Sequence, residues 1–461
     1  MKKLMFLVSL VITLAAMTAC GTGTDSGAGS GAGSGAGGEA GSGAGNGAGG
    51  ESGGRHLTIS TFPTTPEMLE LADRFYEEPL RAAFPNDTFE NVLFPDHESL
   101  IIQVAAGAGP DIMRLDGPTN AVEFARAGRI LAMDDWAAYY GWADLFYDWA
   151  YSAGFWQNRL YSIPYNFDVM GIFYNMDVLE SLGLDVPYTL DELMVMIQAS
   201  EDAGIIPFSF GNSDFQNATE HIVSVFLSNY AGPDALREAI QGERPWHDPL
   251  IRGGIEMMVQ WWQNGWIGAR ASQAISWNDM PVMLADGQAA AMIQGSWMPP
   301  ILINTFPELN WGFGPMPGLR PGVGNVVAIA TGNVYVINAS SSYPDFAAEV
   351  LNWKFTSLDR HRESVVYGTY QPYPIHAIDD EDFWVGMPSE QIHMYGVLME
   401  AMENDRIGWC SWTFFPINVR RFMGENIDAL FLDIMTMDDF LDAVQQLTDE
   451  AVEAGDIPAF P

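Results

Sequence analysis

Apolar residues along this chain keep two different periods in alternation, starting at His56. Residues 56–61 alternate polar and apolar side chains, the two-residue period of a half-buried strand. Residues 66–83 place Met68, Leu71, Ala72 and Phe75 at helical spacing, with Pro66 suited to a first turn. Strands are predicted at 89–94 and 111–115, with a helix over 98–106 between them and another over 121–127 that ends at Gly128. Further strands are predicted at 160–164, 169–174, 289–293, 326–329 and 333–337, and helices at 190–203, 251–264, 346–356 and 438–454. Thr189 and Glu192 stand in capping-box spacing before one of these helices. Strand and helix in turn predict an α/β sheet, and the lack of a fixed-period repeat excludes a solenoid or propeller.

The first fifty-odd residues follow neither period. Lys2 and Lys3 precede a short apolar run over 4–17, the layout of an export signal, and the run is too short to favour a spanning helix. It ends in Met17-Thr18-Ala19-Cys20, which resembles the lipobox of bacterial lipoproteins, with Met where that pattern prefers Leu. The resemblance implies a signal peptide over 1–20 and a lipid on Cys20; an ordinary cleaved signal with a chance cysteine is the competing reading. Residues 21–54 are built almost wholly from Gly, Ala and Ser, so they are predicted to form a disordered tether. As a flexible coil this length spans roughly 30 Å root-mean-square.

Charge narrows the partners. Asp and Glu number 59 against 20 Lys and Arg, which speaks against nucleic acid, since phosphate binding needs a basic patch. Lysine occurs only as Lys2, Lys3 and Lys354, so almost every cation is arginine. Cleavage before Cys20 removes two of these lysines and leaves the body still more acidic. Membrane attachment is therefore expected through the lipid alone. Two cysteines, Cys20 and Cys410, and seven scattered histidines offer no metal cluster, and no metal or cofactor is expected.

Four stretches together resemble extracellular solute-binding proteins of family 1, the binding components of sugar ABC importers. They are Ala105-Ala106-Gly107-Ala108-Gly109-Pro110-Asp111-Ile112, then Arg159-Leu160-Tyr161-Ser162-Ile163-Pro164-Tyr165 running on to Gly171-Ile172-Phe173-Tyr174-Asn175, then 283–292 leading to Gly295-Ser296-Trp297, and Trp311-Gly312-Phe313-Gly314-Pro315. Each alone is packing and turn chemistry; their order over residues 105–315 is specific. The resemblance implies an α/β, two-lobed periplasmic-binding-protein-like fold (type II), with a ligand cleft between lobes joined by crossing strands. Crossings are expected near 165–168, 293–296 and 341–344. Lobe one would comprise 56–165 plus 295–343, and lobe two 167–294 plus 344–461. The implied function is capture of a small-molecule solute, an oligosaccharide, outside the cell by a monomer that delivers it to ABC permease subunits.

Sugars present hydroxyls at their edge and C–H groups on their faces, so a site needs planar polar groups and aromatic platforms. With 15 Trp, 16 Tyr and 26 Phe, most rings must be core, and only those at loop ends become candidates. Trp297 follows the Gly295-Ser296 segment, a position that lines the cleft in the resembled family. Asp168 enters a strand beside an expected crossing. Asp116 stands at the carboxyl end of a strand, the edge at which open α/β sheets bind ligands. Thr61, Phe62 and Thr65 occupy the loop after the first strand by the same argument. Trp409 and Trp412 lie in Gly408-Trp409-Cys410-Ser411-Trp412, a region from which the family brings an aromatic platform, and Tyr367 to Tyr370 is a weaker candidate of that kind. Asp111 reads as structural.

Other readings stay open on sequence alone. A glycoside hydrolase needs two facing carboxylates, which 59 acids make easy to imagine but do not demonstrate. No nucleophile elbow, His-Glu-x-x-His, P-loop or dinucleotide turn is present, so no catalytic residue is assigned. A ligand-sensing surface lipoprotein would use the same cleft, and an acidic cleft suits a polyamine as well as a sugar. The anchor has a direct test: Cys20→Ala should move the protein from the membrane to the soluble fraction and abolish lipid labelling, whereas persistent labelling overturns the assignment.

Overall fold

The computed structural model describes residues 54–62, 66–95, 97–214, 218–268, 273–368 and 370–460. The signal segment, Cys20, residues 21–53 of the expected tether, and Thr65 lie outside these residues. Thirteen strands run through the described residues: β1 (His56–Thr61), β2 (Thr88–Leu93), β3 (Ile112–Asp116), β4 (Phe155–Trp156), β5 (Arg159–Leu160), β6 (Ile163–Pro164), β7 (Phe167–Asn175), β8 (Ile206–Ser209), β9 (Ala289–Gly295), β10 (Trp311–Gly314), β11 (Val327–Thr331), β12 (Asn333–Ile337) and β13 (Ile407–Trp409). Apart from the small β4–β5 hairpin, they form two sheets.

The first sheet has the order β2-β1-β3-β12-β6, with β1 parallel to β2 and β3, and β12 antiparallel to β3 and β6. Alternation along β3 sends Met113 and Leu115 to one face, into a core shared with Val334 and Val336. Ile112 joins Tyr335 and Ile337 in the larger core on the opposite side. The second sheet has the order β13-β11-β7-β9-β8, with β10 added antiparallel beside β7. Strand β7 is buried along its whole length and reads as a near-continuous apolar run, as a strand covered on both faces must. The helix after β7 is followed by Leu190–Asp202, whose Thr189 and Glu192 form the capping box read from sequence.

The chain passes from one sheet to the other at 165–166, between β6 and β7, as expected. The crossing expected at 293–296 is not made. After β9 the helix Met298–Thr305 turns the chain back, and β10 pairs with β7. Gly171 leaves the space that the Phe313 ring fills, and Phe313 stands edge-on to Phe173 at 5.1 Å. The second crossing is Gly332, the single residue between β11 in one sheet and β12 in the other. Strands β10 and β11 therefore belong with the second sheet, against their expected place in lobe one. No crossing occurs at 341–344 either: the helix Pro344–Thr356 stays on the first sheet, with Phe346 against Phe84 and Phe89 and Phe355 against Tyr335. The chain recrosses between Tyr373, which packs on Tyr165, and β13.

Helix 66–83 forms with one irregularity, a wide turn over Asp73–Glu77 between Pro66–Ala72 and Glu78–Ala83. Asp111 is structural as read: its carboxylate accepts from Thr58 N and Oγ1 and from Ser341 Oγ. Cys410 is a buried free thiol whose pKa burial pushes well up.

Gly332 leaves no room for a side chain, since a Cβ there would collide with the Asp168 carboxylate and press on Asn166. Gly332→Ala should lower unfolding stability by about 1–3 kcal/mol in denaturant titrations, the usual cost of overpacking. An unchanged midpoint would show that this crossing is slack.

Candidate functional site

Between the sheets lies a cavity of about 850 Å³. Strand β3 supplies Arg114 and Asp116 on one face, two residues apart, and Phe62 follows β1. From the second sheet come Asp168 on β7, Trp297 after β9 and Trp412 after β13. Asn166, Gly332 and Asn333 at the two crossings form part of the lining, with Gln371 beside them. Glu220, His221, Arg420, Asp214, Trp277 and Asn278 contribute the remaining wall.

Three rings cluster on the second-sheet side. His221 lies 4.8 Å from Trp297 and 5.8 Å from Trp412, and the two indoles stand 6.1 Å apart at 67°. The Trp297 ring lies directly on Gly295, where any Cβ would collide with it, and its Nε1 donates to Gln294 Oε1 at 3.0 Å. Trp412 Nε1 donates to Asp168 Oδ2 at 3.3 Å. Burial pushes the His221 imidazole down to about 3, so it is neutral at physiological pH.

Asp168 is almost fully buried. Its Oδ1 accepts from Asn166 Nδ2 at 2.8 Å and from Gln371 Nε2. Burial pushes its carboxyl up to about 8; the Gln371 and Trp412 donors pull it down, and nearby Asp116 pushes it further up. Burial thus opposes the charge on Asp168, while the N–H donors around it favour that charge. Glu220 is held differently: Arg420 Nε donates to its Oε1 at 2.8 Å and Ser411 Oγ to its Oε2 at 3.1 Å, a largely buried ion pair. Arg420 Nη1 also reaches the Asp116 carbonyl at 3.2 Å, linking a second-sheet helix to β3. Backbones meet nearby, where Gly117 packs against the Trp412 carbonyl, which accepts from Thr119 Oγ1 at 3.3 Å.

Of the residues singled out in the sequence, Trp297, Asp168, Asp116, Phe62 and Trp412 converge on this cavity. Trp409 does not. It is buried against Phe414 and Phe460, with Nε1 donating to Pro233 O, because β13 turns its alternate side chain into the core. Thr61 lines a neighbouring, smaller chamber rather than the main cavity, and Tyr370 lines that chamber too, while Tyr367 is exposed. Sequence reading missed Asn166, Gln371, Glu220, His221, Trp277 and Arg420. Asn166 alone left a signal, a polar residue at an expected crossing. Among the described residues no group of three or more His, Cys, Asp or Glu is arranged to hold a metal ion, and no helix is long and apolar enough to cross a membrane.

Residues 83–356, more than half of the chain, match the family model of the bacterial extracellular solute-binding protein. The chain belongs to this family. Among curated solute-binding relatives, it is 25% identical over 212 residues to the multiple sugar-binding protein of Streptococcus mutans, covering 43% of this chain and 48% of that one. It is 24% identical over 230 residues to the alpha-glucosides-binding periplasmic protein AglE of Rhizobium meliloti, covering 46% and 48%. The chain thus spans about half the length of the curated relatives it matches. Among solved structures, a chitin oligosaccharide binding protein superposes with a TM-score of 0.73 at 21% identity, over 86% of this chain and 99% of that one. Maltose-bound MalE3 of T. maritima gives 0.68 at 20% identity, over 86% and 99%. At these identities the likeness establishes the fold: a two-lobed solute-binding architecture, as the sequence resemblance implied.

The Asp168 proton has a measurable sign. A carboxyl raised from its ordinary 3.8 to about 8 binds more protons folded than unfolded across that window, so its contribution to stability is full below the window and falls as pH rises. Stability should drop by up to about 1.4 kcal/mol per pH unit through this group. Urea melts at pH 5 and pH 8 should show a smaller loss in Asp168→Asn than in the unaltered protein; equal losses would mean that Asp168 stays ionised.

Proposed function

We propose that this family member captures a carbohydrate, an oligosaccharide, in the cavity between its sheets and delivers it to the permease subunits of an ABC importer. The observation that carries the reading is the cluster of Trp297, His221 and Trp412 facing Asp116, Asn333 and Arg114 across about 850 Å³. Ring faces match the C–H faces of a pyranose, and carboxylates, amides and guanidinium match its hydroxyl edge. Trp297 is the main platform. Asp168 acts one step back, holding Trp412 and Gln371 in place through their N–H groups. The curated relatives named for sugars support the same cargo class.

Binding without turnover fits the state of two of the acids that line the cavity. Asp168 accepts three N–H donors and Glu220 is tied to Arg420 and Ser411, so both are occupied in holding other side chains. The protein works by closing its lobes: a ligand that touches both favours the closed form, which the permease recognises. We place it outside the cytoplasm as a monomer, tethered by lipid on Cys20, which concentrates it near the permease.

Thermal-shift measurements against mono- and oligosaccharides, polyamines and metal ions test this. One sugar class should raise the melting point, by about 2.7 kcal/mol of stability at a hundredfold excess over Kd, and the sugar should be recovered intact. Trp297→Ala should weaken that binding by more than about 1 kcal/mol with the fold retained. A shift from a polyamine alone discards the carbohydrate reading, and consumption of the sugar makes the protein a hydrolase.

A further inference from the structure

A smaller chamber of about 300 Å³ adjoins the main cavity and shares Phe62 and Arg114 with it. Its far wall includes the helix Pro344–Thr356, which buries Phe346, Ala347, Val350, Leu351 and Phe355. Lys354 falls four residues after Val350 and three after Leu351, on that same buried stripe. Its Nζ lies 4.1, 5.1 and 5.5 Å from the ring centroids of Tyr76, Tyr165 and Tyr335. Among the described residues the ammonium makes no hydrogen bond and no ion pair, and it opens on the chamber.

Arg114 is in a similar position. Its guanidinium stands 5.1 Å over the Phe62 ring, and its Nε is buried without a hydrogen-bond partner among the described residues. Tyr335 is the cross-strand partner of Arg114, so the aromatic cage and the guanidinium share one face of the first sheet. Glu77 is the one carboxylate among the chamber's described lining residues, and it leans towards Arg81 at 3.8 Å.

Neither Lys354 nor Arg114 has a carboxylate within ion-pair distance among the described residues. Other arginines meet a carboxylate, as in Arg55–Asp87, Arg159–Asp134, Arg244–Glu238 and Arg420–Glu220, or donate to backbone carbonyls, as do Arg129, Arg320 and Arg362. Burial, then Arg360 and Arg114, hold the Lys354 ammonium well below the usual lysine range, with Glu77 opposing them. Ring faces offset only part of the loss of water around a cation. An arriving anion supplies the acceptors both groups lack, and the planar arginine fork suits a carboxylate or an ester of sulfuric acid.

We propose that this chamber is a subsite for an anionic substituent, a carboxylate or sulfate ester, on the sugar held in the main cavity, with Arg114 and Lys354 as its ligands. The inference rests on the carbohydrate reading above and narrows it to acidic oligosaccharides.

Isothermal titration of the full chain with matched oligosaccharides decides it: neutral, uronate-bearing and sulfated forms of the same linkage and length. One anionic form should bind about tenfold or more tightly than its neutral counterpart. Lys354→Gln should bring that ratio close to one, as should Arg114→Gln. Lys354→Met, which keeps the stem buried, serves if the glutamine variant does not fold, and the ratio in the unaltered protein needs no variant. Whichever anionic form binds names the substituent. Neutral sugars binding as tightly as both anionic forms overturn the subsite and leave the carbohydrate reading standing. No binding by any form overturns both.

Discussion

Asn166 ties two of the three sheet crossings to each other, and the rest of the architecture depends on that knot. Its Oδ1 accepts from the Asn333 backbone at 2.6 Å, its carbonyl accepts from Gly332 N at 3.2 Å, and its Nδ2 donates to Asp168 and Gln371. Two peptide segments passing between lobes would otherwise leave buried polar groups unmatched, since neither is in a ladder at that point. One amide side chain matches both. It fits because Gly332 has no side chain, which lets the crossings lie close enough for a single residue to reach across.

The same knot sets the chemistry of the cavity floor. Asp168 is buried because it stands one step beyond the crossing, and burial is what raises its carboxyl. The donors that surround it are the side chains it orients, Gln371 and Trp412, so the hinge and the aromatic wall form one hydrogen-bonded unit. Glu220 and Arg420 form the counterpart on the other side, where Arg420 reaches across to β3. A fully satisfied polar network of this kind holds geometry, which a binding site for a directional ligand requires.

Much of this was legible in the chain. Period-two and period-3.6 patterning located β1, β7, β9, β12 and the helices it predicted to within a residue or two, but left others such as 389–403 and 417–431 unread. The crossing at 165–166 came from the family resemblance rather than from local pattern, and Gly332 was not legible, since nothing local distinguishes a glycine that changes sheets from one that ends a strand. The stretch that forms β10 carries part of the family resemblance, yet its pairing with β7 is not legible, because that contact depends on Phe313 finding the space over Gly171. In the site, the rings at loop ends were half right. Trp412 and Trp409 lie three residues apart, and whether each faces core or cavity is set by the strand-to-helix turn at Cys410, a tertiary matter. Glu220, His221 and Arg420 sit on helical stretches where polar residues usually face water, so only packing shows that they turn inwards.

The burial of Lys354 has a consequence at the surface. Open-chain aldehydes of reducing sugars attack exposed primary amines, and a protein that gathers sugars meets them at high local concentration. Among the described residues the surface carries arginines in place of lysines, and the single lysine is half-buried beside tyrosine rings in the smaller chamber. Among the described residues, any primary amine that meets such an aldehyde is therefore confined to the smaller chamber, and the open surface offers guanidinium groups instead.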